Sequence, residues 1–229
     1  MIDAVLLELE GVLADTAVPR CRALQASLAA EGLELSAEEF DLRCAGLPVL
    51  AAARAAIQLR GVLLDETALD LIVLRAERSF ATIASHGLPL MPGARDFIEN
   101  AAACTRVALV TRGGRRHAES LLSLAGIADA FECVIGAEDT IEPKPSSAPY
   151  RHALARMGRR RALRTGESFA MEDGAPGIRA ARAAGIPCVA VGMLDAQAAL
   201  EADAYLPSLR GQSVRGIGAL VAPRADQAS

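Results

Sequence analysis

The strongest constraint on this chain is a set of short apolar runs in which no polar residue alternates. Ala4-Val5-Leu6-Leu7, Arg106 to Val110, Cys133-Val134-Ile135, Ser168 to Met171 and Cys188 to Val191 all have this character. A strand with one wet face alternates apolar and polar residues, whereas a strand covered on both faces does not. Ala204-Tyr205-Leu206 is a sixth candidate. Between these runs, residues 93–104, 115–125, 147–157 and 175–184 carry apolar side chains at three- and four-residue spacing, the signature of amphipathic helices. Gly126 and Gly185 stand where helix-terminating glycines belong. Strand and helix repeated in this way predict an α/β fold: a doubly wound parallel sheet joined by right-handed crossovers.

Residues 17 to 88 break the alternation. They read as helix over 20–30, 37–44, 49–60 and 66–85, with no convincing strand, and Ala51-Ala52-Ala53 adds helix propensity. The expectation is therefore an all-helical insertion at residues 16–88, splitting a core domain made of residues 1–15 and 89–229. From Pro207 onward the chain holds scattered Gly and Pro and ends polar over 223–229, which predicts a partly mobile tail.

Composition narrows the functional classes. A length of 229 residues suits one large domain or two small ones. A net charge of -4 and an aromatic content of 3% argue against a nucleic-acid partner, because basic patches and stacking platforms are both lacking. No apolar stretch approaches the roughly 18 residues of a membrane span. The start, Met1-Ile2-Asp3, lacks the basic region of a signal peptide, so the expected location is cytoplasmic, with no membrane partner. Cys21, Cys44, Cys104, Cys133 and Cys188 are scattered without a CxxC pair and read as buried thiols of a reducing compartment.

In an open parallel sheet, ligands bind beyond the carboxyl ends of the strands. Four polar segments fall there. Glu8 and Glu10 follow the first strand, Thr111-Arg112-Gly113 the second, Lys144 the third, and Glu172-Asp173 the fourth. Lys144 is the only lysine among 24 basic residues, all others being arginine. Each segment alone has a plain reading: a solvated strand end, a helix cap, a loop cation, an acidic turn. Taken jointly they suit phosphoryl chemistry. A carboxylate can attack phosphorus, a second one two residues on can act as general acid and base, and carboxylate oxygens suit Mg2+. A hydroxyl with backbone N–H groups at a helix start can bind phosphate oxygens.

The runs E-L-E-G-V-L-A-D-T at 8–16, A-L-V-T-R at 108–112, E-P-K-P-S-S-A-P-Y at 142–150 and M-E-D-G-A-P-G-I-R-A-A-R-A-A-G-I at 171–186 resemble the motifs of the haloacid dehalogenase superfamily. The pieces L-P-L-M-P-G-A at 88–94 and C-A-G-L-P at 44–48 fit its branch of phosphatases and β-phosphoglucomutase-type enzymes. The resemblance implies a Rossmann-like core, a helical cap in place of the insertion, and Mg2+-dependent transfer of phosphate from a small phosphorylated metabolite. By position it makes Glu8 the nucleophile and Glu10 the general acid and base, with Lys144 beside them. Thr111, Arg112, Gly113 and Lys144 become the phosphate-binding group, and Glu8, Glu10, Glu172 and Asp173 the metal ligands. Arg20, Arg43 and Arg54 are candidate substrate contacts of the cap; the plain reading of each is a solvated helix residue.

Two departures stand out. The family pattern at the first motif is Asp-x-Asp, and this chain has Glu at both positions. Leu47-Pro48-Val49 follow Gly46 where the mutase branch has a basic residue, and Arg20 stands where that branch has His, which favours a phosphatase over a mutase. The other readings are a catalytically silent relative that binds a phosphorylated ligand or partner, and a glycoside hydrolase built on the Glu8/Glu10 pair. The last has little support, since Trp is 0 and no aromatic platform is evident.

Overall fold

The computed structural model describes residues 2–45, 47–159 and 163–222. The chain divides into two compact units, Asp15–Leu88 and the discontinuous pair Met1–Ala14 with Pro89–Ser229.

The smaller unit is all helical among its described residues: α1 (Ala17–Ala29), α2 (Ala37–Arg43), α3 (Val49–Leu59) and α4 (Glu66–Ala84). Its core gathers Leu24, Leu28, Phe40, Ala53, Ala56, Leu69 and Ile72. Ser27 Oγ donates to the Ile72 carbonyl at 2.7 Å, tying α1 to α4 through a buried bond. Ser36 and Glu39 form a reciprocal cap on α2, and Asp65 accepts from the Ala68 N–H to start α4. The first helix begins at Ala17, three residues before the sequence pattern places it. Pro19 lies in its first turn, where the missing N–H would have no intrahelical partner.

The larger unit is a six-stranded sheet. Its strands are β1 (Ala4–Leu7), β2 (Arg106–Val110), β3 (Cys133–Ile135), β4 (Ser168–Glu172), β5 (Cys188–Val191) and β6 (Ala204–Leu206). The order is β3-β2-β1-β4-β5-β6, and every neighbouring pair is parallel. The order reverses at β1, so the carboxyl ends of β1, β2 and β4 flank the topological switch point. The helices of this unit are α5 (Ala94–Cys104), α6 (Arg115–Leu124), α7 (Ala148–Met157), α8 (Ala175–Ala183), α9 (Ala196–Leu200) and α10 (Val214–Val221). β1 and most of β2, β4 and β5 are fully buried, which accounts for their unbroken apolar sequence. No helix among the described residues is long and apolar enough to cross a membrane.

The structure corrects one expectation, that all five cysteines are buried, and adds two helices to those read from the sequence. The stretch after Pro207 is not all loose: Ser213 accepts from the Gly216 N–H and starts α10, whose Val214, Ile217 and Val221 are buried. The i, i+3, i+7 spacing of those side chains outweighs the two glycines between them. The short α9 is a further helix that the sequence pattern does not signal. Cys104 is exposed, because it ends α5 on the solvent side, while the other four cysteines are buried thiols. The polar end at 223–229 and Gly46 lie outside the described residues.

Candidate active site

The site grows out of β1. The Glu8 N–H continues the ladder onto the Met171 carbonyl of β4 at 3.1 Å, so the backbone there is fixed by two strands. Beyond it the chain turns at Gly11, whose φ of 73° is in the left-handed region. A Cβ at Gly11 would lie 2.3 Å from the Asp173 carboxylate, so that carboxylate reaches over bare backbone.

Lys144, in the loop between β3 and α7, is buried and donates three hydrogen bonds. Its acceptors are Glu8 Oε2 at 2.7 Å, Glu172 Oε1 at 2.5 Å and the Val110 carbonyl at 2.6 Å. An ammonium has three N–H groups, so all are engaged. Glu8 accepts on both oxygens: Oε2 from Lys144, and Oε1 from the Leu9 N–H at 2.8 Å. Glu172 Oε1 also accepts from the hydroxyl of Tyr150 on α7. The four side chains are each 7% exposed or less.

Burial pushes the Glu172 carboxyl up to about 7, against the pull of Lys144 and with the push of Glu8. Burial also raises Asp173 to about 6, helped by the negative charge of Glu8 and opposed by Arg112. Burial opposes the charge of Lys144, but Glu172 and Glu8 outweigh it and its pKa is raised. The Tyr150 phenol is driven well up by burial and then by Glu172, so it remains a donor.

Thr111, at the end of β2, is 4% exposed. Its Oγ1 accepts from the Gly113 N–H at 3.1 Å, which closes a tight turn and leaves the hydroxyl proton for an incoming oxygen. Arg112 is exposed beside it. The N-terminus of α6 is occupied from within: both oxygens of Glu138 accept from the Arg115 N–H, at 3.0 and 3.1 Å. Any phosphate cradle here therefore rests on the turn at 111–113 rather than on the first turn of α6.

The donors are hard oxygens, as Mg2+ requires. Glu8, Glu172 and Asp173 set three acidic groups against one buried ammonium, an excess that a divalent cation would relieve. In this respect the residues fit the ion. Among the described residues, no three His, Cys, Asp or Glu side chains are grouped so as to hold a metal, and Glu8 and Glu172 both accept from Lys144.

The structure thus brings Glu8, Lys144 and Glu172 into one buried cluster, with Asp173 against Gly11. Glu10 bridges to Ala14 at the edge of the loop, and its charge is felt at Asp173. The cap candidates lie in the helical unit. Arg20 on α1 stacks on the Phe80 ring of α4 at 4.3 Å, Arg54 pairs with Glu66 at 2.9 Å, and Arg43 is exposed at the end of α2. Sequence reasoning misses Tyr150. The available signal is a tyrosine six residues beyond the lysine, on the inner face of a helix, whose polar tip needs a partner when buried.

Gly177 shows how tightly the cluster is packed. A Cβ there would lie 1.9 Å from Glu172 Oε2. Gly177→Ala is expected to displace that carboxylate and cost about 1–3 kcal/mol through overpacking. Urea unfolding checks this, and a midpoint equal to wild type would mean that the carboxylate yields freely.

A family model described as haloacid dehalogenase-like hydrolase matches residues 2–185. Phosphoglycolate phosphatase of Yersinia pseudotuberculosis is 29% identical over 192 residues, covering 82% of this chain and 80% of that protein. The plasmid-borne CbbY protein of Cupriavidus necator is 29% identical over 201 residues, covering 82% and 77%. Among solved structures, CbbY from Rhodobacter sphaeroides in complex with phosphate superposes with a TM-score of 0.71 at 24% identity, over 94% of this chain and 99% of that one. A predicted phosphoglycolate phosphatase from Haemophilus somnus gives 0.75 at 18% identity, over 91% and 95%. With a matching model that spans most of its length, and with relatives named as phosphatases, the chain belongs to the haloacid dehalogenase-like hydrolases and is a hydrolase of the phosphatase type.

Proposed function

We propose that the protein hydrolyses a small phosphorylated metabolite through Glu8, slowly, and with Mg2+ as its cofactor. The observation that carries this reading is the buried pairing of Lys144 Nζ with Glu8 Oε2 at 2.7 Å, at the carboxyl end of the central strand. Glu8 attacks phosphorus, the P–O bond to the substrate alcohol breaks, and Glu10 gives the leaving oxygen its proton. Glu10 then takes a proton from water, the water oxygen attacks phosphorus, and the bond to Glu8 breaks to restore the carboxylate. The Thr111 hydroxyl and the Arg112 N–H hold phosphate oxygens, the Thr111 and Gly113 N–H groups being spent on the Ile135 carbonyl and Thr111 Oγ1, and Lys144 balances the charge of nucleophile and phosphate. Mg2+, held by Glu8, Glu10, Glu172 and Asp173, would supply further charge neutralisation. The relatives named for phosphoglycolate support a substrate of that size.

Slow turnover follows from the length of Glu. In-line attack needs reacting atoms about 3–3.5 Å apart, and a misplacement near 1 Å costs on the order of a hundredfold. Glutamate is one methylene longer than the aspartate of the family pattern. Here the added length is taken up by folding Oε1 back onto the Leu9 N–H, next in the chain. The test is phosphate release with Mg2+ over a broad panel of small phosphomonoesters, comparing wild type with the Glu8→Asp, Glu10→Asp double variant. A rate that rises at least about tenfold in the double variant is the expected result. Fast wild-type turnover that falls in the double variant would mean a site built around Glu. The engagement of both Glu8 oxygens favours one second reading, a silent relative that binds a phosphorylated ligand, and no release by either protein would select it.

A further inference from the structure

The mechanism assigns no task to Tyr150. It is fully buried on α7, between Pro149 and Ala153, in the core that covers β1, β2 and β4. Its hydroxyl and the Lys144 ammonium donate to the same oxygen, Glu172 Oε1. The ammonium also lies 5.3 Å from the centre of the Tyr150 ring. Lys144 reaches this point from a loop on a flexible four-carbon stem, so its position is set by what holds its charge. Of its three acceptors, Glu8 loses its full negative charge whenever phosphorus is bonded to it, and the Val110 carbonyl is neutral. Glu172 is then the remaining side-chain acceptor of Lys144, and the Tyr150 hydroxyl donates to the same Glu172 oxygen from α7.

We propose that Tyr150 is a positioning residue: through Glu172 it holds the Lys144 ammonium at the place where phosphate must meet it. The inference rests on the phosphoryl-transfer reading above, and it concerns the hydroxyl rather than the ring.

The test exploits the composition. Lys144 is the only lysine, so protein labelled with 15N at the lysine Nζ yields a single side-chain ammonium signal. Tyr150→Phe keeps the ring and removes the hydroxyl. Because a hydrogen bond to a charged group is worth roughly tenfold or more in an equilibrium, ammonium proton exchange is expected to quicken about tenfold in this variant. Orthovanadate affinity, measured by calorimetry with Mg2+, is expected to fall by a similar factor. An unchanged signal and exchange rate in a folded variant would overturn the proposal. So would an altered signal with unchanged vanadate affinity, since the lysine would then be held for the fold and not for phosphate. If wild type itself binds no vanadate, the phosphoryl-transfer reading falls, and the proposal with it. Should Tyr150→Phe fail to fold, fluorotyrosine in a Tyr205→Phe background leaves one modified tyrosine, Tyr150, with a stronger donor. Exchange is then expected to slow, and exchange equal to the unmodified protein would overturn the proposal.

Discussion

Lys144→Met is expected to destabilise the folded protein by about 3–5 kcal/mol, the cost of removing one partner from a buried ion pair. The methionine fills a similar volume, so cavity formation contributes little. What remains is electrostatic: Glu8 and Glu172 stay buried with their shared cation gone, and the Val110 carbonyl loses its donor. Glu172, already raised to about 7, can accept a proton and soften the loss in acid. The deficit should therefore be larger at pH 8 than at pH 6, and guanidinium unfolding at the two values measures it. Lys144→Arg keeps the charge but brings a planar fork into a space closed by three fixed acceptors, with an overpacking cost of about 1–3 kcal/mol. A Lys144→Met variant within about 1 kcal/mol of wild type at pH 8 would show that the cluster is hydrated and not a buried network.

The second large effect concerns pH. Glu172 and Asp173 have folded-state values of about 7 and about 6, above the ordinary 4.5 and 3.8. The folded protein therefore binds protons more tightly than the unfolded chain at these two groups. Their stabilising contribution is complete below about pH 4 and is lost as pH rises through 6 and 7. Each tenfold weakening of an acid on folding is worth about 1.4 kcal/mol, so the metal-free protein should lose a few kcal/mol across this window. Glu39, held near 2 by Arg60, acts in the opposite sense, but only below its ordinary value and so outside the window. Urea unfolding in chelator from pH 4.5 to 8 measures the slope. With millimolar Mg2+ the slope should flatten, because a cation that binds only the folded form competes with those protons. A chelated protein whose stability rises from pH 5 to 7 would contradict the raised values.

Much of this molecule is legible in its amino-acid sequence. The strands of the sheet announce themselves because a strand buried on both faces has no reason to alternate, and Val5, Leu109 and Val189 sit deep in the sheet. Glu8, Thr111, Lys144 and Glu172 can be placed at one end of that sheet because parallel topology sends successive strand ends to the same edge. What spacing does not convey is which way a side chain turns once there. Glu172 reads equally well as a ligand for a cation or as a partner for lysine, and its oxygen faces Lys144 and Tyr150. Tyr150 is hidden for the same reason: a tyrosine on an inner helix face looks like core until its hydroxyl is traced. The helix at 214–221 is hidden differently, since Gly216 and Gly218 read locally as coil while the buried face of Val214, Ile217 and Val221 decides the outcome.

The position of β1 also governs how the chain reaches its fold. Val5 pairs with Val107 on one side and with Phe169 on the other, so the first strand made is flanked by segments synthesised far later. Closing such loops costs chain entropy before any contact rewards it, which places the central sheet late and makes its assembly slow. The helical unit needs only residues 15–88 and has a core of its own, so during synthesis it can consolidate while β1 waits. Until Phe169 emerges, an apolar strand remains without its second neighbour. That interval is when the nascent chain is most exposed to aggregation and to chaperone capture.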